Sequence, residues 1–360
     1  MTRAPQSDRH ANIDVEVHAD AEVHADGETR EAGSSGGRDS SHSASHTGDR
    51  AASHTGGGHV ISSRATKVGL MAIVLWSMMT GLVRVVADSF GATLGSALIY
   101  TVGIALLMIF HRPAPLRSYP RRYLLVGGLL FVFYESAISL SIGLASSAAS
   151  SVEVSLVNYL WPTMMVLLTA AVFPPSSGRL RSVARVLPGA IVATAGVALA
   201  VGGNSGLDWA QAASHIAANP LPYLLAFAGA SAWSVYAVFT PAMARGKDGT
   251  SVFFPLVAVA LWVIHFASGQ GWPPVAPSIW GWLALVGAAA SIAGGYACWG
   301  HGILHGSMRT LAMASYATPV LSTAASALLL GLALSVPFWC GALLVAAGSL
   351  LNWWISSRRH

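Results

Sequence analysis

About ten apolar stretches run along this chain, each close to the length that an α-helix needs to cross a membrane. A spanning helix requires roughly 20 mostly apolar residues, and shorter spans are possible where neighbours bury them. The chain is 54% hydrophobic and only 10% charged. These features predict an all-α integral membrane protein. The predicted spans are Lys67–Val86, Gly91–Phe110, Tyr123–Leu144, Val152–Phe173, Arg185–Val201, Leu221–Met243, Ser251–Phe266, Ile279–Gly302, Thr310–Leu332 and Val336–Trp354.

The segment before the first span has a different composition. Residues 1–63 hold ten acidic residues, five arginines and seven histidines, with few large apolar side chains. Such a segment cannot bury enough apolar surface to offset chain entropy, so we predict a disordered cytoplasmic tail. Its spaced histidines could bind a transition metal weakly, but no fold fixes a ligand geometry, and we predict no metal site there.

Basic residues after the tail follow the pattern expected of topology signals. Fifteen Lys and Arg residues accompany only five acids, and they concentrate in alternate short connections. Examples are Arg117 and Arg121 in the second connection and Arg179 and Arg181 in the fourth. Cytoplasmic loops carry such an excess, so the pattern predicts a multi-pass membrane protein with both termini cytoplasmic. We therefore predict no nucleic acid partner.

Two motifs recur at one offset along the chain. Trp76-Ser77 recurs as Trp233-Ser234, and Tyr159-Leu-Trp-Pro162 recurs as Tyr316-Ala-Thr-Pro319, both 157 residues later. This predicts two five-helix repeats, 64–203 and 220–360, and an odd helix count inverts the second repeat in the membrane. Inverted repeats favour a transporter that opens a central cavity alternately to each face. The alternative is that the duplication only builds a stable bundle.

Several aromatic side chains lie deep in the predicted spans, away from the interfaces where aromatic belts form. They are candidate substrate-binding residues of a central cavity, although rings that fill gaps between helices are the alternative. Asn158 lies beside two of them and could bind a polar substrate group, and buried serines offer either substrate contact or interhelical hydrogen bonds. The candidate substrate-binding residues are Trp76, Tyr134, Asn158, Tyr159, Trp161, Trp233, Tyr236 and Tyr316.

Two prolines and one acid complete the set of candidate site residues. Pro162 and Pro319 each remove an intrahelical hydrogen bond, so both helices should bend, either as hinges or as static kinks. Glu135 lies near the centre of the third span, where an ionised carboxylate is disfavoured. It is a candidate proton or polar site: if it faces the cavity it could couple export to protons, and if it bonds to a neighbouring helix transport would be facilitative.

These motifs resemble those of the drug/metabolite transporter (EamA-like) superfamily, and specifically its YddG-type aromatic amino acid exporters. The resemblance covers about Thr66 to Arg358 and implies ten helices around a central cavity and export without ATP. It implies aromatic and other amino acids, including aliphatic ones, as substrates, membrane lipid as surroundings, and no cofactor. The residues that carry it are Gly69-Leu-Met-Ala-Ile-Val-Leu-Trp-Ser77, Phe131-Val-Phe-Tyr-Glu135, Val152-Glu-Val-Ser-Leu-Val-Asn-Tyr-Leu-Trp-Pro162, Gly302-Ile-Leu-His-Gly306 and Ser315-Tyr-Ala-Thr-Pro319.

Two other classes of function, a carrier of different substrates and an enzyme, are the alternatives. A carrier of cationic drugs, sugars or nucleotide sugars could share the architecture, and Glu135 keeps a cation carrier open. An enzyme would need a nucleophile–base pair, a metal cluster or a carboxylate dyad facing one cavity, and no such motif is present. His301 and His305 have the spacing of metal ligands on a helix but no third ligand, so no metal site is predicted.

The predicted topology can be tested by labelling. Single cysteines placed at Asp208 and Pro273 should react with membrane-impermeant thiol reagents from outside the cell, because both positions lie in connections poor in basic residues. Protection at both positions would overturn the inverted ten-helix arrangement.

Overall fold

The computed structural model describes residues 62–110, 113–173, 178–201 and 209–357. The predicted tail and Asp208 lie outside these residues. Helices make up the described part of the chain, which contains no β-strand. The helices are α1 Ser63–Phe90, α2 Ala92–Phe110, α3 Gly128–Gly143, α4 Ala148–Asn158, α5 Trp161–Val172, α6 Arg179–Val201, α7 Trp209–Ala218, α8 Pro220–Ala244, α9 Thr250–Ala267, α10 Ile279–His305, α11 Met308–Ser315, α12 Thr318–Leu330 and α13 Val336–Ser357.

Nine helical segments in the described ranges are long and apolar enough to cross a membrane. A shorter apolar helix, Thr318–Leu330, occupies most of the predicted ninth span. That span was predicted to be one helix over Thr310–Leu332, but it is divided between α11 and α12. Leu129, Leu180 and Leu328 are 71%, 86% and 85% exposed, as expected for side chains that face lipid. The all-α membrane fold is therefore confirmed.

Two spans are broken at matching places. α4 ends at Asn158 and α5 begins at Trp161, with Pro162 in its first turn. α11 ends at Ser315 and α12 begins at Thr318, with Pro319 in its first turn. Proline fits the first turn of a helix because its missing N–H would have no intrahelical partner there. At the positions where the two prolines predicted bends, the α-helix is therefore interrupted for two residues, through which tighter i→i−3 hydrogen bonds still run.

The C-terminal end of α3 is held by side chains from two other helices. Leu144 O accepts a hydrogen bond from Asn219 Nδ2 at 3.1 Å, and Ala145 O accepts one from the guanidinium of Arg84. Arg84 also forms a bidentate pair with Asp88, at 2.6 Å between Nη2 and Oδ1 and 3.1 Å between Nε and Oδ2. Carbonyls that have no partner at a helix end are thereby satisfied.

Glycines allow α6 and α13 to approach until their backbones touch. A Cβ at Gly196 would lie 2.6 Å from the carbonyl oxygen of Gly341, and a Cβ at Gly348 would meet the backbone of Gly189 and Ala193. α1 and α10 approach in the same way, since a Cβ at Gly69 would lie 3.0 Å from the Cα of Gly302. The hydrophobic effect does not drive association between helices in lipid. Small residues let the helix backbones approach closely, so that van der Waals packing stabilises the contact instead.

A methyl group at the α6–α13 contact should destabilise the protein. Gly196→Ala places a side chain against backbone that cannot move aside, and overpacking of this kind costs about 1–3 kcal/mol. We expect a lower melting temperature of the purified protein in detergent. Gly287→Ala in α10 is the matched control, because the nearest atom to its Cβ would be a Leu82 methyl at an ordinary 3.4 Å. Equal melting temperatures for the two variants would show that the α6–α13 contact can relax.

Candidate substrate cavity

A cavity of about 330 Å³ lies where both broken spans meet α1, α3, α8 and α10. Its volume is in the range of sites that bind small molecules. Residues from both predicted repeats line it. The predicted site residues on its wall are Trp76, Tyr134, Glu135, Asn158, Tyr159, Trp161, Pro162, Trp233, Tyr316 and Pro319.

The helix breaks place non-helical backbone on the cavity wall. Pro162 has no N–H to donate to the carbonyl of Asn158, and Pro319 has none to donate to that of Ser315. All four of these residues line the cavity. Backbone outside a helix is tolerated at membrane depth where it lines a cavity or is buried in protein. Each interruption therefore lies at a place where irregular backbone is sheltered from lipid.

Eight aromatic rings line the cavity. On one side, Trp233 lies 4.7 Å from Tyr134 and 6.4 Å from Trp161, the latter edge-on. On the other side, Trp76 lies 5.5 Å from Trp299 and 5.4 Å from Tyr296. Such ring contacts stabilise each other beyond their buried area. The rings therefore present a rigid, largely apolar surface to whatever occupies the cavity.

Tyr236 is the one predicted substrate-binding residue that does not line this cavity. Its ring stacks behind Trp233 at 5.1 Å, with an angle of 20° between the rings. Its hydroxyl lies 3.1 Å from the hydroxyl of Tyr123, which in turn accepts a hydrogen bond from the N–H of Gly249 at 2.9 Å. Tyr236 therefore supports the position of Trp233 from behind.

Glu135 lies on the cavity wall and also bonds to two other helices. Its carboxylate accepts hydrogen bonds from the hydroxyls of Tyr100 in α2 and Tyr296 in α10. Glu135 is also among the residues that line the cavity, although only 2% of its surface is exposed. Of the two arrangements considered from the sequence, bonding to neighbouring helices is therefore seen directly, and a role towards the cavity stays a prediction.

The remaining polar groups of the wall divide into two kinds. Asn158 Oδ1 is buried and has no hydrogen-bond partner among the described residues. The hydroxyl of Thr80 lies 2.9 Å from that of Ser155 and 3.2 Å from that of Ser322, so these groups satisfy one another. Ser234 donates to backbone carbonyls, including Trp161 O at 2.9 Å. The Asn158 side chain therefore lies next to the Tyr134 hydroxyl, and its Oδ1 is the buried amide oxygen of the described lining residues that accepts no hydrogen bond.

Comparison with known proteins identifies the family. Residues 220–354 match the EamA-like transporter family. The chain is 42% identical over 299 residues to the aromatic amino acid exporter YddG of Salmonella typhimurium (strain 14028s / SGSC 2262), covering 83% of this chain and 99% of that one. The same identity holds over 297 residues to YddG of Escherichia coli (strain K12), covering 82% and 98%. The chain belongs to the YddG-type EamA transporters. A solved crystal structure also matches, with 27% identity and a TM-score of 0.56 over 81% of this chain and 98% of that one.

Several lining residues of this YddG-type transporter were not predicted from its sequence. Tyr296 and Trp299 line the cavity from α10, and Tyr100 contacts Glu135 from α2. Trp299 lies three residues before the end of its predicted span, a depth at which a ring is more typical of the membrane interface than of a central cavity. The spacing of Tyr296 and Trp299 was the available signal, because residues three apart share one helix face.

The second buried acid of the described segments lies away from the cavity of the transporter. Glu153, near the start of α4, accepts a hydrogen bond from the hydroxyl of Tyr223 at 2.6 Å, and His215 Nδ1 lies 3.9 Å from it. Elsewhere, the rings of His301 and His305 are stacked at 4.8 Å. The described residues contain no group of three or more His, Cys, Asp or Glu side chains that could hold a metal ion.

Proposed function

We propose that this protein exports amino acids across the bacterial inner membrane by alternating access, without ATP. The carrying observation is the aromatic cavity at the meeting point of the two halves, in a chain 42% identical to proteins named aromatic amino acid exporters. Aromatic amino acids would fit between the rings, and aliphatic ones would use the same apolar surface. This export needs no enzymatic step, cofactor or nucleic acid. A role as a carrier of drugs, sugars or nucleotide sugars is not favoured by these relatives.

The residues of the cavity would contact different parts of the substrate. Trp76, Tyr134, Tyr159, Trp161 and Trp233 would contact the substrate side chain, together with Tyr316. Asn158 and the backbone at the two breaks would contact its polar end. Tyr236 would act indirectly, by holding Trp233. This division is supported by the ring contacts around the cavity and by the free acceptor at Asn158.

Alternating access requires two halves that can exchange conformations, and we propose that 64–203 and 220–360 are inverted repeats. The packing of the helices is consistent with this proposal. α1 packs on α10 as α8 packs on α3, and α1 packs on α12 as α8 packs on α5. α6 and α13, the last spans of the two halves, pack on each other. Pro162 and Pro319 would then be equivalent hinges beside the substrate.

The proposed orientation places both termini in the cytoplasm. It rests on the basic residues of the alternate connections, which include Arg117 and Arg121 before α3 and Arg245 and Lys247 after α8. With this orientation, Arg84 and Asp88 lie at the external face. Glu153 lies near the same face, because α4 follows the connection at the end of α3 that Arg84 caps.

Transport by purified protein tests the proposed function. Liposomes preloaded with phenylalanine should take up labelled phenylalanine by exchange without ATP, and protein-free liposomes should not. The assay should be run with and without a pH gradient, because a response to the gradient distinguishes proton exchange from facilitated transport. Uptake of a labelled sugar or organic cation with no uptake of any amino acid would contradict the proposal.

The role of the rings can be tested by truncation. Tyr159→Ala and Trp161→Ala should change the preference for phenylalanine over leucine by about two- to tenfold, because each removes a ring contact worth about 0.5–1.5 kcal/mol. Trp280→Ala is the control, since this ring is 72% exposed and lies outside the cavity. Trp353 is unsuitable as a control because its ring lies 6.4 Å from that of Tyr316. Equal preferences in all three variants would contradict substrate contact by Tyr159 and Trp161.

A further inference from the structure

The described lining residues include one acidic side chain and no basic one. Glu135 is the only acid among the described lining residues, and no lysine, arginine or histidine lies among them. Arg84, the cation of α1 closest in sequence to lining residue Thr80, is engaged by Asp88 and by the carbonyl of Ala145. The wall therefore offers a carboxylate to a substrate and offers no cationic side chain to bind a substrate carboxylate.

The hydrogen bonds to Glu135 orient its carboxylate without balancing its charge. Tyr100 is fully buried behind it, and Tyr296 lies beside it on the wall. Both donate phenolic hydroxyls, which are neutral. Hydrogen bonds satisfy the lone pairs of a buried carboxylate, but a charge at membrane depth remains costly without a partner of opposite sign. The residues described around Glu135 therefore supply no cationic partner.

An ammonium group has the chemistry to be that partner. It carries one positive charge and three N–H donors, so it can bind a carboxylate and a second acceptor at once. The second acceptor on this wall is Asn158 Oδ1, which is buried and has no partner among the described residues. The rings of Trp76 and Trp299 lie on the same wall, and aromatic faces attract cations.

We propose that Glu135, together with Asn158, binds the ammonium group of the substrate, and that the cavity therefore also accepts aromatic amines that lack a carboxylate. This inference rests on the proposed function, because it assigns one end of the transported amino acid to a subsite. Glu135 and Asn158 are binding residues in this assignment, and Tyr100 and Tyr296 are positioning residues that orient the carboxylate.

The net charge of each complex predicts which substrate analogues should bind. An aromatic amine brings one positive charge, so its complex with an ionised Glu135 is neutral. An aromatic acid without an amino group brings a second negative charge into the same membrane-depth cavity, where like charges repel with little screening. Phenethylamine and phenylpropionate are phenylalanine without its carboxylate and without its amino group, respectively. They should therefore bind very differently although their rings are the same.

Competition in the exchange assay measures this difference. Labelled phenylalanine uptake is followed with phenethylamine or phenylpropionate at equal concentration on both sides of the membrane, so leakage of the competitor does not affect the readout. Phenethylamine should inhibit uptake at concentrations about tenfold lower than phenylpropionate does, as expected when a hydrogen bond to a charged group is gained. Equal inhibition, or stronger inhibition by phenylpropionate, would overturn the proposal while leaving phenylalanine export intact. Absence of phenylalanine uptake would instead contradict the proposed function.

Two glutamate variants assign the effect to one carboxylate. Glu135→Gln should raise the phenethylamine concentration needed for inhibition by about tenfold and leave inhibition by phenylpropionate unchanged or stronger. Glu153→Gln is the matched control, because Glu153 is also buried and bonded to a tyrosine but does not line the cavity. If Glu135→Gln does not insert, Tyr296→Phe keeps the ring and removes one of the two hydrogen bonds that orient the carboxylate, so phenethylamine should inhibit less well than in the wild type while inhibition by phenylpropionate is not weakened. Unchanged amine inhibition in Glu135→Gln, or in Tyr296→Phe where Glu135→Gln does not insert, would exclude Glu135 as the ammonium subsite.

Discussion

Backbone polar groups inside a membrane must find hydrogen-bond partners within the protein, and this requirement governs the structure. A continuous helix satisfies its own N–H and C=O groups, so a break at membrane depth needs shelter from lipid. The two interruptions described here, at Tyr159-Leu160 and at Tyr316-Ala317, have that shelter, because residues on both sides of each one line a cavity within the bundle. The cavity and the interruptions therefore go together: the bundle can accommodate irregular backbone at the places where it surrounds the cavity.

The parts of this arrangement that depend on single residues could be predicted from the sequence. Pro162 and Pro319 predicted two bends because proline cannot donate a backbone hydrogen bond, and the breaks lie within three residues of them. The change to i→i−3 hydrogen bonds over two residues was not predictable from proline alone, since a buried proline can also leave a kinked but regular α-helix. Depth along the spans likewise indicated which rings could reach a central cavity.

Which face a ring occupies was harder to predict than its depth. Trp233 and Tyr236 lie one turn apart on α8, yet only Trp233 lines the cavity while Tyr236 stacks behind it. The rotation of a straight span is set by packing against its neighbours, and those contacts are not visible in one sequence. The same limitation concealed Tyr296, whose importance comes from its position beside Glu135 on a helix 161 residues away in the chain.

The contacts between helices differ in how easily they could exchange during transport. α6 and α13 meet backbone to backbone through Gly196 and Gly341, a fit with one close-packed solution. By contrast, α1 is joined to α4 and α12 by the hydroxyls of Thr80, Ser155 and Ser322. Neutral hydrogen bonds each contribute only about 0.5–1.5 kcal/mol net, and rotation of a hydroxyl can redirect them. We infer that the glycine contact keeps the last spans of the two halves together as a fixed pair. The hydroxyl cluster lies within two turns of both interruptions and next to the rings that line the cavity, so motion of the half-helices would change these hydrogen bonds.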